Sequence, residues 1–162
     1  MSEAEFVVRY GGIYEHSPWV AEEAATVLQE GDDIDVIAAV MADCVDNAAP
    51  ERQLALIRAH PDLAGKAQLA GELTPASGSE QASAGLDSCS ADEYRKFQTL
   101  NDAYHEKFGF PFVMAVRDSG RTEILAVFEA RLGNDPDTEF ETALAEIHKI
   151  ARLRLHALEA ES

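Results

Sequence analysis

Apolar residues recur at three- and four-residue intervals along most of this chain, a spacing that predicts amphipathic helices over strands. Ser17-Pro18 reads as an N-cap followed by proline at the first helical position, with Val20, Ala24, Val27 and Leu28 on one face and Gly31 as the stop. A second helix from about Asp33 gathers Ile34, Ile37, Met41, Cys44 and Val45, and a third follows Pro50 with Leu54 and Ile57 inward. Pro61 disfavours helix at His60, because the proline ring crowds the α conformation of the residue before it. A short helix is expected after Asp62, ended by Gly71 and followed by a polar loop with Thr74, Pro75, Ser77, Gly78 and Ser79.

Ser77 and Glu80 have the spacing of a capping box, which predicts a short helix from there to Gly85. Ser90 and Glu93 repeat the device and open a long helix with Tyr94, Phe97, Leu100, Tyr104 and Phe108 as its buried stripe and Gly109 as its stop. Residues 110–116 are apolar without helical period, and read as a buried extended segment before a turn at Asp118-Ser119-Gly120. A helix with Ile124, Leu125, Phe128 and Leu132 follows, with Gly133 at its C-cap. The last begins near Asp137 and aligns Phe140, Leu144, Ile147, Ala151, Leu155 and Leu158. Seven or eight helices with one extended stretch predict an all-α irregular bundle, a single domain over 1–162.

Composition narrows the partners. Asp and Glu number 30 against 13 Lys and Arg, a formal charge of -17 spread along the chain. Nucleic acid and anionic membrane are excluded as expected partners, because each needs a basic footprint. Cys44 and Cys89 have neither metal-ligand nor redox-motif spacing, which fits two thiols in a reducing cytoplasm. No apolar run approaches a membrane span and the first residues are acidic, so cytoplasmic residence is expected.

Three residues stand out for chemistry. His60 follows an apolar helix and precedes Pro61, so its imidazole is held on a stiff corner, as a positioned acid or base must be; closing the helix is the simpler use. Glu80 fits the third position of a capping box, but that helix start would also offer N–H groups and a positive dipole end to an anion. Arg154 lies on or beside the buried stripe of the last helix, where a guanidinium needs an anionic or carbonyl partner unless its head reaches water. Trp19 and its lead-in from Tyr14 fit either a pocket wall or a helix entry. His105, His148 and His156 have no zinc-type spacing, and there is no phosphate loop, dinucleotide fingerprint or nucleophile elbow.

Several segments together resemble one family, the OHCU decarboxylases, where OHCU is 2-oxo-4-hydroxy-4-carboxy-5-ureidoimidazoline. They are Tyr14-Glu15-His16-Ser17-Pro18-Trp19, His60-Pro61-Asp62-Leu63-Ala64-Gly65-Lys66, Ser77-Gly78-Ser79-Glu80-Gln81 with Ala84-Gly85-Leu86, residues 108–112, and Ile150-Ala151-Arg152-Leu153-Arg154-Leu155. The resemblance covers nearly the whole chain, and the order and spacing of the segments carry it. It implies an all-helical, commonly homodimeric enzyme that takes OHCU to S-allantoin and CO2 in urate breakdown. No metal or other cofactor is implied, because the substrate's own ring can take up the electrons left by CO2. His60 is implied as the catalytic histidine with Glu80 beside it, and Arg154 as binding substrate oxygens. Pro61, Ser77, Gly78, Ser79, Glu80 and Gln81 are implied to line the substrate, as are Phe112, Val113, Met114, Ala115 and Val116. Backbone N–H groups of the last two segments are expected to cradle oxygens that gain charge. A non-catalytic acidic interaction domain is the alternative reading. The preceding hydrolytic step of the same pathway is disfavoured, because its transthyretin-like fold is strand-rich.

Overall fold

The structure, a computed structural model, describes residues 1–65 and 70–161. Among them are eight α-helices: α1 (Glu3–Tyr10), α2 (Trp19–Ala25), α3 (Ile34–Asp46), α4 (Pro50–Arg58), α5 (Pro75–Ser83), α6 (Ala91–Phe108), α7 (Arg121–Leu132) and α8 (Pro136–Ala160). A single 3-10 turn covers Leu86–Ser88, and no strand occurs among the described residues. The all-α expectation therefore holds. The helix expected between Asp62 and Gly71 falls on 66–69, which lie outside the described residues. No described helix is long and apolar enough to cross a membrane.

The chain forms two compact units, Met1–Ala59 with Ile147–Ser162, and His60–Glu146. In the first, α1 opens with a capping box the sequence analysis did not use: Ser2 Oγ accepts from Glu5 N–H, and Glu5 returns a bond to the Ser2 N–H. Asp33 caps α3 through the Val36 N–H, and Pro50 occupies the start of α4. Phe6, Tyr10, Val20, Ile37, Met41, Val45, Leu56, Ile57, Ile147 and Leu155 are buried there. The helix expected to run from Ser17-Pro18 to Gly31, α2, stops at Ala25, where the Thr26 hydroxyl bonds the Glu23 carbonyl. Val27, expected on its inner face, is 64% exposed. Nor does Ser17 cap this helix: its hydroxyl donates to the Glu15 carbonyl, and Pro18 itself takes the cap position with helical dihedrals. Trp19 is half-buried with the Arg52 guanidinium 4.0 Å from its ring centroid.

The second unit is organised by aromatic residues. Tyr104 meets Phe110, Phe112 and Phe128 edge-on, and Phe112 stacks on Phe128 with centroids 3.9 Å apart. The capping box of Ser90 and Glu93 is present in both halves, and Gly109 ends α6 with φ +76°, a conformation that a side chain would strain. Gly133 follows α7 as expected but with right-handed dihedrals. Inside the cluster, the fully buried Glu139 carboxylate accepts from Arg131 at 2.8 Å and Tyr104 at 2.6 Å through one oxygen, and from Asn134 through the other.

Because removing one member of a buried pair strands the other, Glu139→Ala is expected to cost about 3–5 kcal/mol in urea unfolding. Thr74→Ala, which removes the single side-chain cap of α5, is expected to cost about 1 kcal/mol in the same measurement.

Candidate functional site

α4 ends at Arg58, and His60 stands two residues later on non-helical backbone before Pro61, 7% exposed. The corner turns sharply: Ala64 has φ +50°, and a Cβ on Gly65 would come within 2.8 Å of the Asp62 Cβ. Gln81 on α5 clasps it from both sides. Its Oε1 accepts from the Ala64 N–H at 3.0 Å and its Nε2 donates to the Asp62 carbonyl at 3.1 Å.

The start of α5 differs from expectation. Thr74 is the N-cap, accepting from the Ser77 N–H, and Pro75 is the first helical residue. Ser77 and Glu80 therefore form no capping box, because both are already inside the helix. The reason is that proline lacks an N–H and has a helix-compatible φ, so Thr74-Pro75 makes the better start. The Ser77 N–H belongs to the cap and the Gly78 N–H to the Thr74 carbonyl, which removes both from the expected oxygen cradle. Ser77 and Gln81 are buried, Gly78 and Glu80 half-buried, and Ser79 exposed.

Residues 111–116 form neither helix nor strand, in keeping with the missing helical period, with Phe112, Val113 and Val116 buried and Met114 and Ala115 half-buried. Arg131 secures them: it donates to the Val113 carbonyl at 2.6 Å and sits 4.3 Å over the Phe112 ring. The Ala115 N–H donates to a Glu146 carboxylate oxygen at 3.2 Å, so this member of the expected cradle already has an anionic partner. The segment ends in the expected turn, with Asp118 at φ +67°.

Arg154, on α8 in the first unit, is 8% exposed. Its guanidinium donates to the Ile13 carbonyl at 3.3 Å and to Glu15, itself 2% exposed, at 3.4 Å. Arg152 is exposed and reaches Asp35 at 3.4 Å, so the helical stripe correctly separated the two arginines. The stretch that holds Arg154 is anchored by Tyr14, whose hydroxyl meets His148 Nδ1 at 2.8 Å while His148 Nε2 meets Asp46 at 2.9 Å. Burial first, then the charges of Asp46 and Cys44, raise the Tyr14 phenol above its ordinary value of 10.0.

The second unit thus brings together the corner after His60 and α5, and it also contains 112–116; Arg154 belongs to the first unit. Sequence reasoning missed Glu15, Gln98, Asn101, Arg131, Glu139 and Glu146. A usable signal existed for Gln98, Asn101 and His105, which share one helix face by their spacing of three and four. The others have partners set by folding.

These features define an all-helical protein with a buried histidine on a proline-stiffened corner and a buried, carboxylate-paired arginine. The chain belongs to the OHCU decarboxylase family, whose model matches residues 1–156. It is 48% identical over 155 residues, 96% of this chain and 89% of the other, to a 2-oxo-4-hydroxy-4-carboxy-5-ureidoimidazoline decarboxylase of Haloferax volcanii. A crystal structure of (S)-allantoin synthase aligns with TM-score 0.76 and 33% identity over 98% of this chain, which spans 51% of that longer one. One of OHCU decarboxylase in the presence of (S)-allantoin aligns with TM-score 0.71 and 26% identity over 95% of this chain and 96% of the other.

The raised phenol gives a signed pH prediction. The stability carried by neutral Tyr14 is complete below pH 10.0 and is lost as pH rises toward the folded value, because the unfolded phenol ionises first. Urea midpoints between about pH 8 and 11 should fall with pH in the native chain and fall less in Tyr14→Phe.

Proposed function

We propose that this chain decarboxylates OHCU to (S)-allantoin and CO2 in urate degradation, with His60 moving the proton. The observation that carries the residue assignment is the burial of His60 at the non-helical junction before Pro61, in a chain that matches the family along residues 1–156. The reading takes 1–162 as one catalytic domain of the cytoplasm, commonly dimeric as in the family resemblance.

The substrate's name dictates the chemistry. One ring carbon carries both hydroxyl and carboxylate, and its neighbour carries the ureido group and a double bond to ring nitrogen. When the bond to CO2 breaks, its electron pair forms a double bond between those two carbons, and the former carbon–nitrogen pair moves onto nitrogen. One proton then adds to the ureido-bearing carbon, while the hydroxyl proton is replaced on the ring nitrogen and the hydroxyl becomes a carbonyl. The face that receives the carbon-bound proton sets the S configuration. In this reading His60 delivers that proton, Glu80 orients and polarises the imidazole, and Arg154 binds oxygens of the substrate. Pro61, residues 77–80 of α5, and residues 112–116 line the pocket.

Freshly generated OHCU, followed by ultraviolet decay and the circular dichroism of the allantoin formed, tests the assignment. His60→Ala is expected to keep the helical spectrum and lose about 10²–10⁴-fold in turnover. Glu80→Gln should lower kcat, and Arg154→Lys should raise KM by about tenfold or more, because an ammonium cannot reproduce the planar fork of donors. An acid role for His60 loses activity as pH rises and a base role as it falls, so the pH–rate limb distinguishes them. No acceleration over spontaneous decay by the native chain overturns the reading.

A further inference from the structure

The backbone after His60 is held by side chains to an unusual degree. Three consecutive carbonyls each accept from a side-chain amide: Asp62 from Gln81 at 3.1 Å, Leu63 from Asn101 at 3.0 Å, and Ala64 from Gln98 at 2.7 Å. The Ala64 N–H is taken by the other end of Gln81, and the Asp62 carboxylate pairs with His105 Nε2 at 2.7 Å. Gln98, Asn101 and His105 form one polar face of α6, and Gln81 comes from α5, so two helices hold one corner of three residues.

Holding it is costly. Ala64 sits at φ +50°, a left-handed conformation that strains a residue with a side chain. Asn101, 2% exposed, leaves its Oδ1 without a partner among the described residues, a further cost because a buried acceptor has given up water with no donor in its place. A loop needed only as a connection could relax Ala64 or let water satisfy these carbonyls. Instead four amide bonds over-determine the position of the backbone immediately after His60-Pro61.

We propose that Gln81, Gln98 and Asn101 are positioning residues that act through the 62–64 backbone to fix the His60 imidazole for proton transfer. The proposal rests on the reading of His60 as the proton-moving group. Gln81, implied by the family resemblance to line the substrate, acts here through the corner, since both ends of its amide are engaged there. A misplaced imidazole should slow the chemical step while leaving substrate binding largely intact.

Gln98→Met is the deciding variant, because Gln98 is half-buried and methionine keeps its length while deleting the donor. Asn101→Leu is the second, nearly isosteric and without the orphaned acceptor. Gln53→Met is the control: Gln53 donates to the Val45 and Asp46 carbonyls at 2.9 and 3.3 Å, the same kind of bond made to the end of α3 instead of the 62–64 corner. The expected result is a fall in kcat of about tenfold or more in Gln98→Met, with KM changed less than about twofold, as for loss of an interaction that matters in the transition state. Gln53→Met should keep both constants. If His60→Ala loses turnover while Gln98→Met retains native kcat, the clamp is overturned and the His60 reading stands. If His60→Ala retains turnover, the reading fails and the clamp falls with it.

Discussion

Glu139 has no exposed surface, and a carboxylate in that position is tolerable only because donors reach both of its oxygens. Arg131 supplies one, and with its remaining nitrogens and planar face it also takes the Val113 carbonyl and covers Phe112. Tyr104 supplies another from α6, and Asn134 a third from the turn before α8. One buried charge pair thereby ties α6, the segment after it, α7 and the start of α8 to a common point. An isolated aromatic cluster would fill the same volume with less constraint, since stacked rings slide where a multidentate guanidinium does not. The hold on Val113 and Phe112 thus runs through Arg131 to Glu139, and the Tyr104 phenol, whose ionisation is pushed upward first by desolvation and then by its bond to Glu139, belongs to the same arrangement.

Strain is distributed in a way that parallels the proposed chemistry. Among the described residues, three without a glycine's freedom have positive φ: His16, Ala64 and Asp118. His16 follows Glu15, the carboxylate that holds Arg154; Ala64 closes the corner begun by His60; Asp118 ends the turn after 112–116. Each implicated stretch thus lies beside a residue in an unfavourable backbone conformation. Such conformations persist only where the surroundings over-determine them, and the amides of Gln81, Gln98 and Asn101 do so for Ala64. The family assignment itself rests on the comparisons.

Local signals were strong enough to reveal most of the helices. Apolar periodicity located α3, α6 and α8, the Ser90–Glu93 capping box was read correctly, and the absence of period marked 110–116 as non-helical. Two apparently equivalent signals then diverged. Ser17-Pro18 and Thr74-Pro75 both look like a cap followed by proline, yet only Thr74 caps, because the Ser17 hydroxyl has the Glu15 carbonyl within reach. Ser2 to Glu5 carried the same capping-box spacing as Ser90 to Glu93, and α1 was nevertheless absent from the expected helices.

What the sequence determined by itself was the set of features decided within about one helical turn: where apolar faces lie, where proline and glycine interrupt them, that Arg154 and not Arg152 is buried, and that His60 stands off its helix. What only the tertiary structure decided was the identity of partners. Glu15 for Arg154, Glu139 for Arg131 and Tyr104, Glu146 for Ala115, and the three amides for the corner after His60 join residues from 8 to 139 positions apart. The physical reason is that a buried polar group must find a donor or acceptor wherever the packed helices bring one. Helical period states which face a residue occupies, but not what will be standing opposite.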